Sequence, residues 1–111
     1  MIVKIIPGDD GKSHFEQIDP KDWQTDWQVD PVKGPVNFRS RPPGFFHDLH
    51  PESRRQYAIV ISGQVEIGLE DGTKLTFGPG DVIFPTDVTG EGHSTRTVGE
   101  EFFVYCAIPS D

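Results

Sequence analysis

Glycine and proline cut this chain into pieces too short for long helices, and that spacing constrains its fold more than any other feature. Twelve glycines and ten prolines make up about a fifth of the 111 residues, and each favours turns for its own backbone reason. Between them lie segments with the period-two alternation of half-buried strands. Residues 55–62 are rich in β-branched side chains and stop at Gly63, while residues 64–69 alternate polar and apolar up to Glu70-Asp71-Gly72. An Asp-Gly step between two alternating segments is a strong hairpin signal. Residues 73–77 resume the alternation before Gly78-Pro79-Gly80, and residues 81–84 run to Pro85. Residues 45–50, ending at Pro51, and residues 93–98 and 101–108, on either side of Gly99, read as further strands. With 2–6 and a segment near 36–39, the chain reads as roughly eight to ten short strands and no amphipathic helix.

So many short antiparallel strands need their edges paired or covered, as in a sandwich or a closed double-sheet roll. An immunoglobulin-type sandwich fits poorly, because Cys106 is alone and both tryptophans lie outside the strand-rich half. The whole chain, 1–111, is expected to be one domain. Its polar, proline-interrupted segment 1–44 wraps the strand-rich core 45–108 or pairs with a second copy. Within that segment Asp22-Trp23-Gln24 and Asp26-Trp27-Gln28 echo each other. The tryptophans share a face of one helical turn and read best as core anchors.

Eighteen acidic residues against ten basic ones leave a formal charge of −8. Such a surface repels phosphate backbones and anionic lipid, so neither nucleic acid nor membrane is an expected partner. A single cysteine builds no disulfide framework within one chain and suits a reducing, cytoplasmic compartment. No apolar run approaches the ~20 residues of a membrane span, and Pro7 stops the first apolar run short of a signal peptide.

The stretch from Gln56 to Pro85, with Phe77-Gly78-Pro79-Gly80-Asp81-Val82-Ile83-Phe84-Pro85 at its end, resembles the centre of a cupin. It is also similar to a subgroup of small bacterial cupins, through Arg54-Arg55-Gln56-Tyr57 and Asp87-Val88-Thr89-Gly90-Glu91-Gly92-His93. The resemblance implies an all-β, cupin-type jelly-roll β-barrel of two antiparallel sheets, a small molecule inside it, and a homodimer. Cupins place three histidines and a glutamate around a metal. Here the first histidine position holds Asp48, the second His50, the glutamate position Gln56, and the late histidine is His93. Thr97 stands where the family closes with asparagine. The spacing from His50 to Gln56 and the loop before His93 are both longer than the family pattern.

Alternation along the strands puts Asp48 with His50, and His93 with Thr95 and Thr97, on shared faces. A barrel could gather Asp48, His50, Gln56 and His93 as metal ligands. Two imidazoles with oxygen donors suit Fe, Mn, Ni or Zn, and the absence of a thiolate disfavours a soft metal. Independently of metal, His93 is a candidate general acid or base. Arg55 and Arg96, or Arg54 in place of Arg55, are candidates to hold a carboxylate by paired hydrogen bonds. Tyr57 is a candidate ligand contact or, with Tyr105, a packing residue with a polar tip. Asp87 either caps its loop or partners His93. His47 and His14 rank below these, because His47 alternates with Phe45 and Leu49, away from His50. Cys106 reads as a small buried residue. Two functions follow: metal-assisted oxygenase, isomerase or lyase chemistry on a small polar or anionic molecule, or a non-catalytic binding barrel with a degenerate metal site or none.

Overall fold

The computed structural model describes residues 1–19, 21 and 31–110, so Trp23 and Trp27 lie outside the described residues. Among the described residues ten strands follow one another: β1 (Ile2–Pro7), β2 (Ser13–Ile18), β3 (Asn37–Arg41), β4 (Phe46–His50), β5 (Gln56–Ser62), β6 (Gln64–Gly68), β7 (Lys74–Phe77), β8 (Val82–Pro85), β9 (His93–Val98) and β10 (Phe103–Pro109). No helix among the described residues is long and apolar enough to cross a membrane. Nine of these strands fall where the turn punctuation places them. The tenth, β2, carries a polar sequence whose outward positions face water at a sheet edge, so it lacks the apolar half of a strand signal.

The strands form two layers, a six-stranded sheet in the order β2-β1-β8-β5-β10-β3 and a four-stranded sheet in the order β4-β9-β6-β7. Among the described residues, hydrogen bonds do not join the two sheets into one closed barrel. The expected antiparallel pairing fails at one seam, because β1 lies parallel to β8, with Ile2 beside Val82 and Ile5 beside Pro85. Parallel neighbours need a long crossover, and here the chain between them supplies β2 to β7, with β9 and β10 following β8.

Alternation decides what each strand buries. Val3 and Ile5 on β1, Val60 on β5, Val65 and Ile67 on β6, Phe77 on β7, Ile83 on β8 and Phe103 on β10 meet between the sheets as one apolar cluster. Burying each such side chain is worth about 1.5–3 kcal/mol, which is how a small domain secures its core. That cluster fills only part of the space between the layers. Beyond it the sheets diverge around a cavity.

Candidate functional site

The cavity has a volume of about 340 Å³. Val65, Ile67, Ile83 and Phe103 give it an apolar floor shared with the core. Its polar side is built by His47 and His50 on β4, Glu52 in the following loop, Gln56 at the start of β5, His93 at the start of β9, and Arg39 and Arg41 on β3.

His93 is the best anchored of these. It is buried, and its Nδ1 lies 2.7 Å from Asp87 Oδ2. Asp87 is itself 0% exposed, and the Ser13 hydroxyl donates to the same oxygen at 2.7 Å. A carboxylate acceptor fixes the imidazole proton on Nδ1 and leaves Nε2 as the free nitrogen. Nε2 lies 3.8 Å from Glu52 Oε2. The other Asp87 oxygen, Oδ1, is buried with no hydrogen-bond partner.

The loop carrying Asp87 is held from several sides. Thr86 donates its amide and its hydroxyl to Ile5 O, Glu91 N donates to Gly11 O, and Glu52 N donates to Asp87 O. Gly92 has a φ of +78°, and a Cβ there would sit 1.8 Å from His50 O. Only glycine lets the chain enter β9 so close to the end of β4.

A bulge sets the other flank. On β9, His93 and Thr95 are two residues apart, whereas their β4 partners His50 and His47 are three apart. The extra residue reverses the facing of everything before it. His47 therefore joins His50, their rings stacked with centroids 3.6 Å apart, and His50 stands 5.0 Å from the His93 ring. Asp48 is turned out to solvent, where it accepts a hydrogen bond from Leu49 N. The expected shared face of Asp48 and His50 is corrected to His47 and His50. His50 Nδ1 donates to Asp48 O at 2.7 Å, leaving its Nε2 free as well. Burial is the main cause holding the His50 pKa below the ordinary histidine value, and the neighbouring His93 and His47 act in the same direction.

Gln56 is buried at the cavity, and its Nε2 donates to Glu52 Oε1 at 3.2 Å. Glu52 thus stands between Gln56 and His93. Sequence reasoning missed it, because a loop residue two positions after His50 has no strand face to assign. Arg39 and Arg41 were also missed, although their spacing of two places both on one side of β3. No carboxylate among the described residues lies within ion-pair distance of either. Arg41 lies over the rings of Phe45 and Tyr105, 5.4 and 5.9 Å from their centroids.

The remaining candidates stand elsewhere. Arg55 lies over the Phe84 ring, and Tyr57 is buried against the same ring, both away from the cavity. Arg96 is exposed beside Glu66 and over Phe46. Thr97 is buried next to the core with its hydroxyl unpartnered. Cys106 is half-buried, and His14 pairs with Asp10 at the surface. No group of three His, Cys, Asp or Glu side chains among the described residues is arranged to hold a metal ion. As placed, His50 and His93 supply two nitrogen donors, and the side chains do not form a three-donor centre.

No protein-family model and no curated protein matches the chain. Solved structures do. A cupin 2 conserved barrel domain protein from Salinispora arenicola matches with a TM-score of 0.55 at 22% identity, over 68% of this chain and 61% of its own. The DMSP lyase DddQ from Ruegeria pomeroyi matches with a TM-score of 0.56 at 22% identity, over 68% of this chain and 37% of its own. An RmlC-like cupin family protein with a double-stranded β-helix fold from Methanocaldococcus jannaschii matches with a TM-score of 0.55 at 16% identity, over 79% of this chain and 85% of its own. The aligned region thus spans less than two thirds of the first two proteins. The fold is the cupin jelly roll, as the turn punctuation and motif resemblance imply.

Proposed function

We propose that the cavity takes a small carboxylate-bearing molecule and that His93 moves a proton on it, in the manner of an isomerase or lyase. The observation that carries this is the buried Asp87–His93 pair at 2.7 Å, with Nε2 turned toward the cavity. In such a pair the carboxylate orients the ring, and stabilises the imidazolium formed when Nε2 accepts a proton. Glu52, 3.8 Å from that nitrogen, is placed to exchange the proton across the site. Arg39 and Arg41, without carboxylate partners among the described residues, supply the charge and fork geometry that bind a carboxylate. The apolar floor keeps water from one side of the bound molecule and strengthens these interactions.

A second reading keeps the same residues around one divalent Fe, Mn, Ni or Zn ion. It is favoured by the oxygen acceptors at Nδ1 of both His50 and His93, an arrangement that orients imidazoles for ligation through Nε2. His50 and His93 would hold the ion, Glu52 and Gln56 would have to close in from their present positions as oxygen donors, and the ion would supply a Lewis acid.

The test incubates the protein in D2O with a panel of hydroxy, keto and unsaturated short-chain acids. Proton NMR follows exchange at the carbon next to the carboxylate, and melting temperature follows binding. The proposal expects at least one acid to raise the melting temperature and to exchange, with exchange lost in His93→Gln and binding lost in Arg39→Gln/Arg41→Gln. Binding without exchange would favour the non-catalytic barrel. A melting temperature insensitive to every acid but raised by Mn, Ni or Zn would favour the metal reading.

A further inference from the structure

Ring faces wall the cavity as well as charge. Register sets Arg39 beside Tyr105 and Arg41 beside Phe103 on the six-stranded sheet, and the Phe103 and Tyr105 rings stack 4.8 Å apart. On the facing sheet stand the His47 and His50 rings, stacked within 7° of parallel. All six side chains line the cavity. Arg41 belongs to the same layer of rings, because its guanidinium carbon lies 5.4 Å from the Phe45 centroid and 5.9 Å from that of Tyr105. One N–H group of that guanidinium donates to Ser40 O at 2.9 Å, which leaves its other donors for a ligand.

We infer that the molecule this cavity takes is a flat, conjugated acid, a carboxylate carried on one aromatic ring. The inference rests on the reading of the cavity as a carboxylate site and names what carries the carboxylate. Arg39 and Arg41 place two fixed positive charges at the cavity in a chain of net charge −8, so an anion is drawn there. The ring faces then select among anions. Aromatic pairs gain from the electron-rich face and electron-poor edge of each ring, beyond what burial of area supplies. A guanidinium already lying over two rings extends the same stacking to a third.

Size points to a single ring. A cavity of about 340 Å³ is near the lower end of the range for ligand pockets, and at about 30 Å³ for each water it holds the volume of roughly eleven waters. That accommodates a benzene ring, its carboxylate and a small substituent. The aliphatic floor of Val65, Ile67 and Ile83 offers contact to a saturated acid and to a flat one alike, so it does not choose between them. The rings do.

Amide NMR titration with benzoate and with cyclohexanecarboxylate tests it. The two acids carry the same charge at neutral pH and the same number of heavy atoms, so they share the arginines and differ in the flatness of the ring. Burial alone favours the bulkier saturated ring, whereas stacking favours benzoate, by an expected two- to tenfold in affinity, roughly. Tyr105→Leu and Phe45→Leu, which keep apolar bulk and remove a ring face, are each expected to lower that preference, and Tyr105→Phe to keep it. Circular dichroism and melting temperature confirm that each variant is folded. Equal affinity of the wild type for both acids, or a benzoate preference that survives both leucine variants unchanged, overturns the inference and leaves the carboxylate reading standing. Binding of short-chain acids with both ring acids refused does the same. If no carboxylate binds at all, the inference and the reading it rests on fall together.

Discussion

The two flanks of the cavity use the same residue type in opposite ways. On one flank His93 is sealed: Asp87 holds it, Ser13 holds Asp87, and strand and loop backbone close around all three. On the other, His47 and His50 stack at an opening, where a bulge rather than a buried partner sets their direction. The sealed flank fixes its histidine through a buried carboxylate; the open flank holds its rings only by stacking and one backbone hydrogen bond. A pocket needs both, one to position chemistry and one to admit a molecule.

The largest effect is expected where the flanks join. Gly92→Ala forces a Cβ against the His50 carbonyl in a backbone conformation that alanine resists, and should cost about 2–4 kcal/mol. Urea unfolding measures it, and an unchanged midpoint would mean that the two flanks are not locked together. On the sealed side, Asp87→Asn removes the charge from two buried hydrogen bonds. It should cost about 1–3 kcal/mol, whereas Asp48→Asn at the solvent-facing bulge should stay within about 0.5 kcal/mol. Equal effects would erase the contrast.

Gln56→Glu probes the middle. It sets a second carboxylate beside Glu52, and without metal should destabilise by about 1–2 kcal/mol or hold the new carboxyl protonated. If a divalent ion binds, the added charge should instead raise the melting temperature in Mn, Ni or Zn, more strongly at higher pH as the imidazoles lose protons. The smallest effect belongs to the open flank. The folded chain binds a proton at His50 less readily than the unfolded chain does. His50 therefore contributes no pH dependence above the ordinary histidine range, and stability falls as pH drops through that range. His50→Gln should flatten the slope of stability between about pH 7 and pH 5, read from urea midpoints across that window.

The strands were legible because turn residues bracket them, and His50, Gln56 and His93 were legible because alternation and motif position agree. Asp48 and His47 exchanged roles for one reason: a bulge shifts facing by one residue, and nothing in Phe45-Phe46-His47-Asp48-Leu49-His50 marks where the alternation slips. Ser13 was out of reach because β2 shows no apolar alternation, and its partner Asp87 is 74 residues away. The arginines of β3 had the right spacing, but the strand near 36–39 carries no apolar alternation that would tell its inward face from its outward one.

The parallel seam between β1 and β8 has a kinetic meaning. Closing it ties together residues some eighty positions apart, since Ile2 meets Val82, and the Ser13–Asp87 contact waits on the same closure. Loop closure on that scale comes after local hairpins such as β6–β7 have formed. In a refolding chain His93 would reach β9 before Asp87 is buried and Ser13 arrives. The histidine would thus exist first as an ordinary, solvated imidazole, and become the oriented one only in the last slow step of folding.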